Sequence, residues 1–151
     1  MSVQTISKNE QLIRKVYQMA EEQKIQEFVD LFTEDGVFYD ASVGKEYRGA
    51  DIGRTVEVYA KAFPDMHREL YSFYLSGDVV CVELSLNGTH NGPLALPMGT
   101  IPATGIKMST PCCDVFHIEN GKVKVFHCYP EGTILLGQIG VLENLEAVLQ
   151  K

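Results

Sequence analysis

Asp114 and His127 are the two residues of this sequence whose types and expected placement most directly suggest chemistry. They lie in PCCDVFHIENGKVKVFHCYP, residues 111–130. The central Asn120-Gly121 pair predicts a β-hairpin closed by a type I′ turn, which needs positive φ at both central positions. With those two residues as the loop, Ile118 faces Val123, Phe116 faces Val125, Asp114 faces His127 and Cys112 faces Tyr129. This register puts Asp114 and His127 on the apolar wall. Lys122, Lys124, His117 and Glu119 fall on the wetter face, with Val115, Phe126, Cys113 and Cys128 among them. A carboxyl beside an imidazole is an acid–base pair: Asp114 can orient His127, and a neutral His127 can exchange a proton near neutral pH. A charged imidazolium would instead hold Asp114 ionised. The bland alternative is a buried pair that satisfies only itself.

Asp40, at the end of DGVFYD, is a second carboxylate placed for proton transfer, or a strand-end residue making a local turn hydrogen bond. Tyr17 sits at the edge of the first helix. Other chemistries find no foothold: there is no GxSxG, P-loop or GxGxxG motif, and His67, His90, His117 and His127 lack HExxH or HxH spacing, so neither cofactor nor metal is expected. Hydration assisted by an arginine would draw on Arg48 or Arg68, which nothing in the sequence fixes beside Asp40. The cysteines, Cys81, Cys112, Cys113 and Cys128, lack CxxC spacing and read as buried thiols rather than disulfides.

The elements that must position these residues are legible in outline. Leu12, Ile13, Val16, Met19 and Ala20 form the stripe of an amphipathic helix over about residues 8–22, followed by a short helix over 25–32. A turn at Asp35-Gly36 leads into a strand ending at Asp40, and GADIGRTVEVYAKAFPD predicts a third helix stopped by Pro64. MHRELYSFYL and VVCVELSLNGTH read as strands joined at Ser76-Gly77-Asp78. A long loop, 91–106, precedes the quoted hairpin, and a helix over about 133–149 closes the chain. Helices followed by antiparallel strands predict an α+β fold, with a curved sheet wrapped on the N-terminal helices as a cone open at one end. The loop is rich in Gly, Pro, Leu and Met, so Leu94, Leu96 and Met98 are expected to cover an apolar ligand or to form a dimer contact.

The 151 residues fit one domain, 1–151. A formal charge of −7 with dispersed basic residues argues against nucleic acid. The absence of a signal-like start and of any membrane-length apolar run predicts a soluble, cytoplasmic protein.

Several stretches resemble a known family. DGVFYDASVG, with Asp35 and Asp40 in a D-x4-D pattern, and DVFHIENGKV, with Asp114 before a G-[KR]-[IV] turn, resemble the ketosteroid-isomerase-like branch of the nuclear-transport-factor-like superfamily. GTHNGPLALPMGTIPATGIKM and LLGQIGVL resemble the SnoaL-like polyketide cyclases. The resemblance implies Asp40 as the base that moves a proton beside a carbonyl, and Asp114 as a carboxyl kept neutral by apolar surroundings, donating to the enolate oxygen. It also implies a homodimer through the open sheet face. Two positions depart from the pattern: Val16 stands where the isomerases keep an oxyanion tyrosine, leaving Tyr17 about 100° around the helix, and Cys128 stands where the cyclases keep a catalytic Asp. The expectation is a cofactor-independent isomerase or aldol cyclase acting on an apolar polycyclic or polyketide-like substrate. Asp40, Asp114 and His127 would be catalytic, and Tyr17, Cys112, Tyr129, Leu94, Leu96 and Met98 would line the pocket. The rival is a non-catalytic module of the same fold that binds an apolar ligand or dimerises.

Overall fold

A computed structural model describes residues 6–143 and 149. Helix α1, Lys8–Glu21, begins at Ser7, whose hydroxyl accepts a 3.1 Å hydrogen bond from the Glu10 amide and caps the free N-terminal turn. Its apolar stripe buries Ile13, Val16, Met19 and Ala20, and Tyr17 with them. Helix α2, Ile25–Asp30, leads into strand β1, Phe32–Asp40, and edge strand β2, Lys45–Arg48. A 3₁₀ turn, Gly49–Gly53, opens helix α3, Arg54–Ala62, which ends two residues before Pro64. Strands β3, His67–Ser76, and β4, Val79–Thr89, follow. After a short hairpin, β5 (Leu94–Leu96) and β6 (Gly99–Ile101), come β7, Lys107–Glu119, β8, Lys122–Pro130, and helix α4, Gly132–Gln138.

Six strands form one open sheet in the order β2-β1-β8-β7-β4-β3. Every neighbouring pair is antiparallel except β1 and β8, which run parallel. The α+β expectation holds, and the N-terminal helices cover the inner face of the curved sheet. Met108, Thr110, Cys112, Asp114, Phe116 and Ile118 of β7 alternate inward, as do Val80, Val82, Leu84 and Leu86 of β4. Phe126 joins the layers, with ring centroids 4.2 Å from Phe116 and 4.3 Å from Phe38.

Four expectations need correction. The stretch over 91–106 is not a bare loop, because LAL and GTI pair as β5 and β6 about Pro97-Met98. Strand β2 was not anticipated, since Lys-Glu-Tyr-Arg is a short, polar edge strand without an apolar face. The terminal helix stops at Gln138, short of the predicted 149, with Gly140 at φ +82° just beyond it. Residues 144–148 of that prediction lie outside those described. The fourth correction is the register of β7 and β8. The turn is as predicted, with Asn120 at φ 50° and Gly121 at φ 75°, and Ile118 does face Val123. The next pair is His117 with Val125, so Lys124 is an extra residue, a β-bulge. A one-residue slip turns every later side chain to the opposite face. Phe126, Cys128 and Pro130 therefore point inward, and Val125, His127 and Tyr129 point outward.

The β5–β6 hairpin is stitched to α3. The Gly92 amide donates to the Ala62 carbonyl at 3.1 Å, and a Cβ on Gly92 would lie 1.9 Å from the Lys61 carbonyl oxygen, so only glycine fits this approach. Among the described residues no helix is long and apolar enough to cross a membrane.

Candidate active site

Between α1, α3 and the inner face of the sheet lies an apolar cavity of about 50 Å³, walled by side chains such as Val16, Phe38, Val56, Leu84 and Phe126. Its polar groups converge on Asp114, which is 2 % exposed. The two carboxyl oxygens have different partners. Oδ2 accepts a 2.7 Å hydrogen bond from the Tyr17 hydroxyl, and Oδ1 accepts one from the Cys112 thiol at 3.3 Å. Burial raises the Asp114 pKa to about 6, while the Tyr17 hydroxyl, the thiols of Cys112 and Cys128, and the charge of Arg68 hold it from rising further. The Tyr17 phenol is pushed well above its ordinary value by burial and then by the neighbouring Asp114, so it remains a neutral donor. Its ring meets Phe116 edge-on with centroids 5.8 Å apart, which fixes the aim of the hydroxyl. Arg68 lines the same cavity and is held at its rim by Glu21, 3.3 Å away.

Asp40 occupies an adjoining pocket of about 30 Å³ beneath the β5–β6 hairpin, with Leu94, Leu96 and Pro97; Thr55 and Tyr59 of α3 line both spaces. Its Oδ1 accepts from the Ser42 amide at 3.0 Å and from the Ser42 hydroxyl at 2.6 Å, the strand-end turn contact. Among the described residues nothing donates to its Oδ2. The sheet relates the two carboxylates simply. Asp40 pairs with Cys128 across β1 and β8, and Cys128 pairs with Asp114 across β8 and β7. All three face inward in one row, so the carboxylate-bearing backbones are two strand spacings, about 10 Å, apart.

The structure thus brings together Tyr17, Cys112 and Asp114, and places Asp40, Leu94 and Leu96 in the next compartment. It does not bring in His127, Tyr129 or Met98. The bulge at Lys124 carries His127 to the outer face, where its ring packs near Tyr39, His117 and Tyr129. The predicted Asp114–His127 pair is therefore absent, and Tyr17 takes the place given to His127. Tyr129 lies on the outer face and is half exposed, and Met98, at the hairpin tip, is 81 % exposed and covers nothing. Two cavity residues went unread, Thr55 and Tyr59, and a third, Cys128, was noted at the cyclases' catalytic-Asp position but assigned to the wetter face. Thr55 and Tyr59 stand four apart on α3 and so share a helix face; adjacent apolar Val125 and Phe126 break the alternation and mark the bulge.

A six-stranded open sheet closed by helices into a cone, with carboxylates on its inner wall, defines the nuclear-transport-factor-like, ketosteroid-isomerase-like fold. The family model of SnoaL-like polyketide cyclases matches residues 10–135, and the chain belongs to that family. Solved structures share the fold at low identity. A SnoaL-like polyketide cyclase candidate from Jannaschia sp. CCS1 superposes with a TM-score of 0.78 and 16% identity, covering 91% of this chain and 97% of that one. AclR, a candidate hydroxylase from Streptomyces galilaeus, gives 0.75 and 21%, with coverage of 90% and 98%. A protein of ketosteroid-isomerase-like fold from Catenulispora acidiphila, solved with trimethylamine, gives 0.72 and 16%, with coverage of 86% and 92%. No curated protein matches the chain significantly. At these identities the solved structures show the fold, and it is the cyclase family that bears on function.

Proposed function

We propose that this chain catalyses proton transfer beside the carbonyl of an apolar polycyclic or polyketide-like substrate, by isomerisation or aldol cyclisation, without a cofactor. The observation that carries the reading is the Tyr17–Asp114 pair, a buried hydroxyl and carboxyl joined at 2.7 Å inside an apolar cavity. In its protonated form, which predominates below about pH 6, Asp114 donates a proton or hydrogen bond to the oxygen on which enolate charge develops, and Tyr17 orients it; preorganised donors in a dry site are the largest single source of such stabilisation. Asp40, two strands away with a free Oδ2, removes the proton from carbon. The substrate enters beneath the β5–β6 hairpin. A homodimer through the outer sheet face belongs to the same proposal.

A second reading, an apolar-ligand carrier without chemistry, draws on the apolar lining of the cavity, which at about 50 Å³ holds one or two waters and must open for a ring system under either reading. One experiment separates them. A naphthol or a steroidal phenol, which mimics an enolate when ionised, is titrated into wild type, Asp114→Asn and Tyr17→Phe between pH 5 and 9 while ligand fluorescence is followed. α-Proton exchange of cyclic ketones in D2O is measured beside it. The enzyme reading expects a strongly hydrogen-bonded or ionised phenol in wild type that Asp114→Asn loses, and exchange that Asp40→Asn slows by about 10²–10⁴. Identical phenol binding in all variants, with no exchange, gives the site to the carrier.

A further inference from the structure

Cys128 was placed in the middle of the carboxylate row by the bulge, and its thiol has a second thiol beside it. Cys112 Sγ and Cys128 Sγ are 3.9 Å apart, and Cys112 Sγ lies 3.3 Å from Asp114 Oδ1. One ligand atom from each of Cys112, Asp114 and Cys128 falls within 4.8 Å of the others. Tetrahedral zinc, with bonds of about 2.3 Å to sulfur and about 2.0–2.2 Å to a carboxylate oxygen, requires sulfur–sulfur spacings of about 3.8 Å and sulfur–oxygen spacings of about 3.5 Å. Two of the three spacings in the cluster lie close to those values, and the third, between Cys128 Sγ and the Asp114 carboxylate, is within 4.8 Å.

We propose that Cys112, Asp114 and Cys128 form a binding site for one soft divalent cation, zinc foremost. Two thiolates and a carboxylate select zinc or cadmium over magnesium or calcium, which prefer oxygen alone. The ligands stand on two neighbouring strands, so their positions are set by the sheet. Asp114 divides its oxygens suitably: Oδ1 faces the thiol, and Oδ2 is held by the Tyr17 hydroxyl, the outer partner that ligating carboxylates usually have. Three protein ligands leave a fourth position facing the cavity. Two thiolates and one carboxylate against two positive charges leave one negative charge, with Arg68 lining the same space. In the metal-free protein both thiols are neutral; that of Cys128 is raised well above its ordinary value by its hydrogen bond with Cys112 and by burial, so binding must expel their protons.

The site shares Asp114 with the proton-transfer reading. A cation on Oδ1 holds that carboxylate ionised and removes the proton the proposed chemistry needs, so the loaded and metal-free proteins are alternative states and zinc is an inhibitor. The test uses metal alone, so its failure leaves that reading intact. The reduced full-length chain is titrated with Co²⁺ under anaerobic conditions. One equivalent should produce the near-ultraviolet thiolate-to-cobalt charge-transfer band and the intense visible bands of tetrahedral cobalt. Zinc should displace it with release of about two protons at pH 7. Cys112→Ser and Cys128→Ser should each abolish the band, and Asp114→Asn should weaken binding at least tenfold. Replacing Cys81 and Cys113, which neighbour each other at 3.5 Å on the outer face, should change nothing. Should a cavity variant fail to fold, the ¹¹³Cd shift of the wild-type complex reports its donors directly, and a mixed sulfur–oxygen value supports the site. Absence of the charge-transfer band, an oxygen-only cadmium shift, or a band lost only with Cys81 and Cys113 overturns the proposal.

Discussion

Asp114→Asn should remove a pH dependence of stability that a single buried carboxyl imposes. In the unfolded chain this group titrates near its ordinary value of 3.8; in the folded protein, burial raises it to about 6. Between those values the folded state binds more protons than the unfolded one, so stability falls as pH rises through the window and stays low above it. Below about pH 3.8 both states are protonated, the slope ceases and the contribution stands at its full value. Two pKa units correspond to about 3 kcal/mol in all, of which about 2 kcal/mol is lost between pH 4.5 and pH 8. Asparagine keeps the shape and a hydrogen-bond acceptor for Tyr17 but cannot ionise. Urea unfolding of wild type and variant at both pH values gives the double difference directly, provided the m-values agree. The variant should gain about 2 kcal/mol relative to wild type on going from pH 4.5 to pH 8. A difference between the two proteins that is the same at both pH values would refute the assignment of a raised pKa to Asp114, and with it the neutral donor.

Three further outcomes follow from named contacts. Tyr17→Phe removes the hydroxyl on Asp114 and should cost about 1.5–3 kcal/mol at pH 8, where the carboxylate is charged, and about 1 kcal/mol at pH 4.5, read by the same urea titrations. Gly92→Ala drives a methyl group into the Lys61 carbonyl and should cost about 1–3 kcal/mol, with faster amide exchange in residues 94–101 as the hairpin lifts from α3. Phe126→Ala empties the centre of the aromatic layer and should cost about 3–5 kcal/mol in thermal or urea unfolding; a loss under about 1 kcal/mol would place Phe126 outside the core.

The local grammar of this sequence was readable and its long-range pairing was not. The stripe of α1, the stop at Pro64 and the Asn120-Gly121 turn are each written within a few residues, and each matched. Asp40 and Asp114 were found by type and spacing. Their alignment through Cys128 was hidden, because it depends on a parallel pairing of β1 with β8, strands some ninety residues apart, which no local pattern encodes. The error at His127 came from the strand itself. In KVKVFHCYP the alternation holds through Val123 and changes parity at the Lys124 bulge, which the apolar neighbours Val125 and Phe126 mark, and a strictly alternating ladder was read past that break. Tyr17 was placed in the pocket lining, but its bond to Asp114 was not foreseen: a stripe drawn through Val16 and Met19 leaves it at the edge, yet a long phenol at a stripe's margin reaches the core when a buried carboxyl awaits it.

The bulge at Lys124 means that β8 carries two complete sets of wall residues in one segment of chain. Phe126, Cys128 and Pro130 furnish the present interior, while Val125, His127 and Tyr129 would furnish another if the parity were restored. Were Lys124 drawn into the ladder opposite His117, with no residue lost, a thiol would be exchanged for an imidazole on the inner wall, whereas loss of Lys124 would remove the bulge and leave Cys128 opposite Asp114. For a scaffold of this kind, a shift of register at a bulge is a shorter route to a new wall than a series of point replacements, and the same device is open to a designer.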